Sequence, residues 1–181
     1  KDIPVPKKIF FDRENSSGKD ISEIENLEDL KSKIDNFIGL KVDAESIYAG
    51  RLNENNKTEK AFSISNGSEI GTIILDDPIQ IKEALEKDTL NDWKDIEVNE
   101  RAKILNLIAD DIENNPYELI YFLINEAGKT IQNAIDEIRE GIDFLRYYSS
   151  RSIELFNNTE LNGPTGEDNQ MSFTPKGTFL C

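Results

Sequence analysis

The stretch Thr130-Ile131-Gln132-Asn133-Ala134-Ile135-Asp136-Glu137-Ile138-Arg139-Glu140-Gly141-Ile142-Asp143-Phe144-Leu145-Arg146-Tyr147-Tyr148 decides how this chain is read. Ile131, Ala134, Ile135, Ile138, Ile142 and Leu145 recur at steps of three and four, which places them on one face of an α-helix. Thr130 offers a hydroxyl cap for that helix, which is predicted to reach Phe156. At about 100° per residue Asp136 and Glu140 share a face, and Glu140 lies roughly 200° from Ile138. Charges opposite an apolar stripe ordinarily form a solvated face, and Asp143 is spaced to meet Arg146 at i+3. A second reading stays open. Phe144 stands one turn beyond Glu140, with Tyr147 and Tyr148 after it, so the helix could be covered on both sides and Glu140 could serve a function.

Working outward from this helix, the preceding segments are also helical. Pro116 opens a segment through Leu119, Ile120, Leu123 and Ile124, closing near Gly128. Before it, Val98, Ala102, Leu105, Ile108, Ala109 and Ile112 form a single stripe stopped by Asn114-Asn115-Pro116. Asp77-Pro78 starts a helix running to Trp93, and Ile21 to Phe37 carries apolar residues at helical steps. Ala61 to Ile64 and Ile70 to Leu75 read as two short strands around Asn66-Gly67, a hairpin near 61–75. Gly39 to Lys60 has no clear pattern. Residues 1–20 read as an extended lead-in, because Pro4 and Pro6 restrict their neighbours and Asn15-Ser16-Ser17-Gly18 signals a turn. At the other end, Met171 and Phe173, then Phe179 with Cys181, predict a hairpin turning at Pro175-Lys176-Gly177.

Composition narrows the chemistry. The 181 residues hold 36 acids and 21 bases for a formal charge of −15, with no histidine and one cysteine. Nucleophile systems that need histidine, imidazole metal sites and thiolate zinc clusters are excluded. A single cysteine leans towards a reducing, cytoplasmic setting. The acidic surplus disfavours nucleic-acid binding, and no segment is long and apolar enough for a membrane span. Lys1-Asp2-Ile3-Pro4 shows neither a signal region nor an initiator methionine, as in an excised product. Gly128-Lys129-Thr130 invites a phosphate loop, but position 123 is Leu where the motif needs Gly, so a helix junction is expected. Cys181 follows Thr178-Phe179-Leu180, an apolar setting that would raise a thiol's pKa, and reads as a core residue.

The order of several phrases is more specific than any one of them. Trp93, Arg101-Ala102-Lys103-Ile104-Leu105, Glu126-Ala127-Gly128-Lys129-Thr130, the run from Glu137 to Tyr148 and Gly163-Pro164-Thr165-Gly166-Glu167-Asp168-Asn169 follow one another at set spacing. In this succession the chain resembles the aldehyde dehydrogenase superfamily. Within it, the resemblance is to the N-terminal part of the L-glutamate γ-semialdehyde (Δ1-pyrroline-5-carboxylate) dehydrogenase domain of bifunctional proline utilisation proteins. The resemblance implies an α+β fold class, a mostly helical fragment of the α/β aldehyde dehydrogenase fold. Its parts would be a lead-in over 1–20, a helical portion over 21–169 and the start of an oligomerisation β-flap over 170–181. It implies an NAD-dependent oxidation of the semialdehyde to glutamate in proline catabolism, through a cysteine thiolate and a glutamate-activated water. Nucleophile, general base and cofactor loop of the family all lie beyond position 181. The isolated chain is therefore expected to be inactive and to bind no NAD alone, and the remaining dehydrogenase portion becomes its expected partner, in a homo-oligomer acting on a small aldehyde. Glu140 matches a helix glutamate that lines the aldehyde tunnel near the substrate's amino-acid end, with Phe144 and Arg139 as shaping residues. The alternative is a natural split-gene product that persists as an acidic helical interaction module or a complementing half. An unrelated acidic scaffold is the remaining one.

Overall fold

A computed structural model of the chain describes residues 3–48, 51–52, 57–86, 91–157, 159–174 and 176–177. The helices are α1 (Ile24–Asp35), α2 (Pro78–Glu86), α3 (Val98–Asn114), α4 (Tyr117–Asn125) and α5 (Ile131–Asn157). The strands are β1 (Val42–Ala44), β2 (Ile47–Tyr48), β3 (Arg51–Leu52), β4 (Thr58–Phe62), β5 (Glu69–Ile74), β6 (Glu160–Leu161) and β7 (Asn169–Gln170). Single 3₁₀ stretches occur at Pro6–Lys8 and Asn91–Asp95.

The chain divides into two compact units, and α5 contributes residues to both. The first unit comprises 1–17, 92–114 and 140–181, and the second comprises 18–91 and 115–139.

In the second unit β4 and β5 pair antiparallel, and β1 joins β5 in parallel, giving the order β1-β5-β4. The hairpin expected near 61–75 is present. Its turn closes through Ser63 N–H to the Ser68 carbonyl at 2.8 Å and Ser68 N–H to the Asn66 side chain at 2.9 Å. Gly71 allows the parallel strand to approach, since a Cβ there would stand 1.9 Å from the Val42 carbonyl oxygen. The core gathers Leu30 and Ile34 of α1, Ile70 of β5, Ile120 and Tyr121 of α4, and Ala134, Ile135 and Ile138 from the start of α5. Glu69 links the three strand segments by accepting from Lys41 and Lys60 at 2.8 and 2.6 Å, and these cations hold its carboxyl at about 2.

The first unit packs α3 against the later turns of α5. Val98, Ala102, Ala109 and Ile142 are buried there together with polar Ser16, Arg146 and Ser149. The Ser149 hydroxyl donates to the Ala102 carbonyl at 3.0 Å and accepts from the Asn106 amide at 2.8 Å. β6 and β7 pair antiparallel, Glu160 opposite Gln170.

Some expectations change. The first helix begins at Ile24 in place of Ile21, because Ser22 folds back on Asp20 through its N–H at 3.0 Å and its hydroxyl at 2.6 Å. The helix from Pro78 is described as far as Glu86, positions 87–90 of its expected run lie outside the described residues, and Trp93 falls in a 3₁₀ stretch. Gly39 to Lys60, unpatterned in sequence, contains β1. The strand expected over Met171 and Phe173 is not formed, since β7 covers only Asn169–Gln170 and 171–174 have no regular structure, while Pro175 and 178–181, including Cys181, lie outside the described residues. Among the described residues no helix is long and apolar enough to cross a membrane, and no cluster of metal-ligating side chains occurs.

Candidate functional site

α5 starts where Thr130 caps it, its hydroxyl accepting from Asn133 N–H at 3.2 Å. Lys129 N–H returns to the Leu123 carbonyl at 3.1 Å, and the Lys129 ammonium meets Glu137 at 2.8 Å. Gly128-Lys129-Thr130 is thus engaged in joining α4 to α5 and offers no cradle for a dinucleotide phosphate.

Within the first unit, Glu140, Phe144 and Tyr148 follow one another at i+4 along α5 and are all exposed. Phe144 stacks on Tyr148 with ring centroids 5.9 Å apart, and Tyr147 meets Tyr148 edge-on at 5.2 Å. The result is an aromatic ridge headed by a carboxylate. Among the described residues Glu140 has no hydrogen-bond or ion-pair partner, while Ile138 and Ile142 on the opposite side are buried. Phe144 remains 50% exposed, so its ring is available for contact.

Arg139 belongs to the second unit. Its guanidinium lies against Gly18, where a Cβ would stand 2.9 Å from Nε, and Gly18 has φ +70°, so a side chain there is disfavoured twice. Asp136 is 3.9 Å from its Nη1.

Beside the ridge runs a polar network that the sequence did not disclose. Arg146 is buried and its Nη2 donates to Asp110 at 2.7 Å and Glu113 at 2.6 Å. The local pairing of Asp143 with Arg146 expected from i+3 spacing is replaced by these long-range partners. Asp143 accepts instead from Ser16, N–H to Oδ1 at 2.6 Å and Oγ to Oδ2 at 3.2 Å. Glu113 Oε1 also accepts the Ser17 N–H at 2.7 Å and hydroxyl at 2.8 Å. Burial works against ionising Glu113, but the Ser17 N–H, Arg146 and the Ser17 hydroxyl outweigh it and bring its carboxyl to about 2. Further along, Asp12 accepts from Ser150 and Arg151, which keep it well below the usual carboxylate range. Arg13 lies 3.8 Å from the Phe10 ring centroid and 5.1 Å from that of Tyr147.

Tyr147 and Tyr148 also line a cleft of about 680 Å³ in this unit, with Trp93, Leu105, Leu155 and Phe156. Arg101 sits 5.2 Å from the Phe156 ring. Glu140 and Phe144 stand outside that cleft. The second unit holds its own cavity of about 580 Å³ among Ile34, Ile38, Leu40, Ile70, Tyr121 and Ile124. The polar lining includes Lys31, Asp35, Ser68 and Glu69 in the second unit's cavity and Arg151, Ser152 and Glu154 in the first unit's cleft. The chemistry on offer is recognition, by a free carboxylate and aromatic faces.

The family model described as "Aldehyde dehydrogenase family" matches residues 52–181. The chain is 32% identical over 172 residues to the bifunctional protein PutA of Escherichia coli, covering 91% of this chain and 13% of that protein. It is 36% identical over 88 residues to 1-pyrroline-5-carboxylate dehydrogenase 1 of Halalkalibacterium halodurans, covering 49% of this chain and 17% of the relative. Among solved structures, proline utilization A from Bdellovibrio bacteriovorus superposes with a TM-score of 0.79 at 23% identity, over 92% of this chain and 18% of that one. The 1-pyrroline-5-carboxylate dehydrogenase from Thermus with bound NAD gives 0.74 at 22%, over 86% and 31%. These structural likenesses establish a shared fold, and this chain spans less than a third of each of these proteins.

Proposed function

Because the chain belongs to the aldehyde dehydrogenase family, we propose that it forms part of an NAD-dependent dehydrogenase that oxidises L-glutamate γ-semialdehyde to glutamate in proline catabolism. The observation that carries this reading is the position of Glu140: an exposed carboxylate, unengaged among the described residues, at the head of the Phe144–Tyr148 ridge and inside the matched region. The named relatives, PutA and 1-pyrroline-5-carboxylate dehydrogenase, support the substrate.

The semialdehyde carries an α-ammonium and an α-carboxylate at the end remote from its aldehyde. A carboxylate on the protein attracts the first by a charge-assisted hydrogen bond and repels the second. Glu140 therefore orients the amino-acid end, Phe144 supplies an apolar wall beside the aliphatic stem, and Arg139 shapes the approach. NAD, when bound, would supply the hydride acceptor. Gly128-Lys129-Thr130 is taken up in joining α4 to α5, and the part assigned to this chain is on the aldehyde side, with the remaining dehydrogenase portion as its partner.

The test is NAD reduction with pyrroline-5-carboxylate. The chain alone should give none, and the chain joined to or mixed with the remaining dehydrogenase portion should restore turnover. Turnover by the lone chain would overturn its assignment as an inactive part. In the restored enzyme Glu140→Gln should raise KM for the amino aldehyde about tenfold, the worth of roughly 1.4 kcal/mol of charge-assisted contact. An unchanged KM would remove Glu140 from the site.

A further inference from the structure

Glu140 has no side-chain partner among the described residues, so only the backbone that carries it can aim it. That backbone is gripped three residues on. The lead-in runs antiparallel along α5: Ser16 is bound to Asp143, Arg13 lies near Tyr147, and Asp12 is bound to Ser150 and Arg151. Positions 143, 147, 150 and 151 fall on one side of the helix at steps of three and four. The ridge positions 140, 144 and 148 occupy the adjoining strip. Of these contacts, the one at Asp143 is the nearest to Glu140 and Phe144 and the most enclosed, for Ser16 is 1% exposed and both carboxylate oxygens are used.

We propose that Asp143 is a positioning residue for substrate selection: by anchoring Ser16 of the lead-in, it fixes the rotation of α5 and so the direction in which Glu140 and Phe144 face the aldehyde. The inference rests on the reading of Glu140 given above. A pair of charge-assisted hydrogen bonds to a buried serine is directional, and a displacement of about 1 Å in a substrate-orienting group can cost as much as ~100-fold in rate. Ser16 needs no chemistry of its own for this role, because its N–H and hydroxyl both donate to the carboxylate.

The experiment uses the intact dehydrogenase that carries these residues. It compares kcat/KM for glutamate semialdehyde with that for glutarate semialdehyde, which has the same carbon chain without the α-ammonium. Asp143→Ala should lower the ratio of the two about tenfold, through KM for the amino aldehyde. Asp143→Asn keeps an oxygen for the Ser16 N–H and should recover most of the ratio. A residue with a merely structural role would depress both substrates alike, and equal losses, or an unchanged ratio, overturn the proposal. Should Asp143→Ala fail to fold, Ser16→Gly removes the hydroxyl while leaving the N–H. A smaller drop in the same ratio supports the proposal, and an unaltered ratio overturns it. Glu140→Gln separates the two ideas. If it collapses the ratio while the Asp143 variants do not, the positioning role alone falls, and if it leaves the ratio intact, the Glu140 reading falls and takes the positioning role with it.

Discussion

In the second unit the buried side chains among the described residues are mostly apolar, Leu30, Ile34, Ile70, Ile120, Tyr121, Ala134, Ile135 and Ile138 with polar Ser63, whereas the first unit buries Arg146, Ser149 and Ser16 beside Val98, Ala102, Ala109 and Ile142. Two parts of one chain thus hold together by different means. Apolar burial is nondirectional and scales with area, so it tolerates small shifts. Hydrogen-bonded charge fixes angle as well as distance, and becomes costly once one partner is lost. The rigidly directed unit is also the one that presents the Glu140–Phe144–Tyr148 ridge, where direction has a use.

The contrast can be broken by mutation. Arg146→Ala should have the largest effect, about 3–5 kcal/mol, because it leaves the half-buried Glu113 without its cation beside a gap at a buried position. Amide exchange should accelerate in α3 and in α5 from Asp143 onward, and a loss below about 1 kcal/mol would show that the charges contribute little. Ile120→Ala should cost about 3 kcal/mol by opening a cavity at a position 1% exposed. Denaturant melting reads the loss, and exchange in α1 and α4 should report it first.

Acid sharpens the comparison further, with a smaller effect. Glu113 is lowered from an ordinary 4.5 to about 2, so its contribution is complete above about pH 4.5 and disappears as pH falls towards 2. Asp12, also lowered by its partners Ser150 and Arg151, acts in the same direction. Trp93 is the chain's sole tryptophan and lines the first unit's cleft, so its emission should report this acid loosening. Glu113→Gln should flatten the pH response and weaken the unit already at neutral pH. An unaltered profile would separate Glu113 from the acid transition.

What could be read in advance was local. The stripes of α3 and α5, the Pro116 start, the Thr130 cap and the Asn66-Gly67 turn all follow from residues close in sequence. β1 was hidden because Val42-Asp43-Ala44 pairs through its backbone while its side chains remain exposed, leaving no alternation to detect. The Arg146 network was hidden for a related reason. Asp143 offered a nearby partner at i+3, but Asp110, Glu113 and Ser16 come from segments 33 to 127 positions away, and spacing along one helix contains no trace of them. For the candidate site, Glu140, Phe144 and Arg139 could be singled out by type and by resemblance, but the brace beside them could not.

The Ser17–Glu113 contact has a consequence for how lineages of this chain diverge. Half of that latch is a main-chain hydrogen, which nineteen of the twenty amino acids bring to any position, proline being the exception. The exposed position 17 can therefore drift through many side chains while still closing the latch, whereas position 113 has to keep an acceptor oxygen, and an acid if it is also to pair with Arg146. Variation written on one side of a contact and silence on the other would be the signature of this bond in any set of descendants.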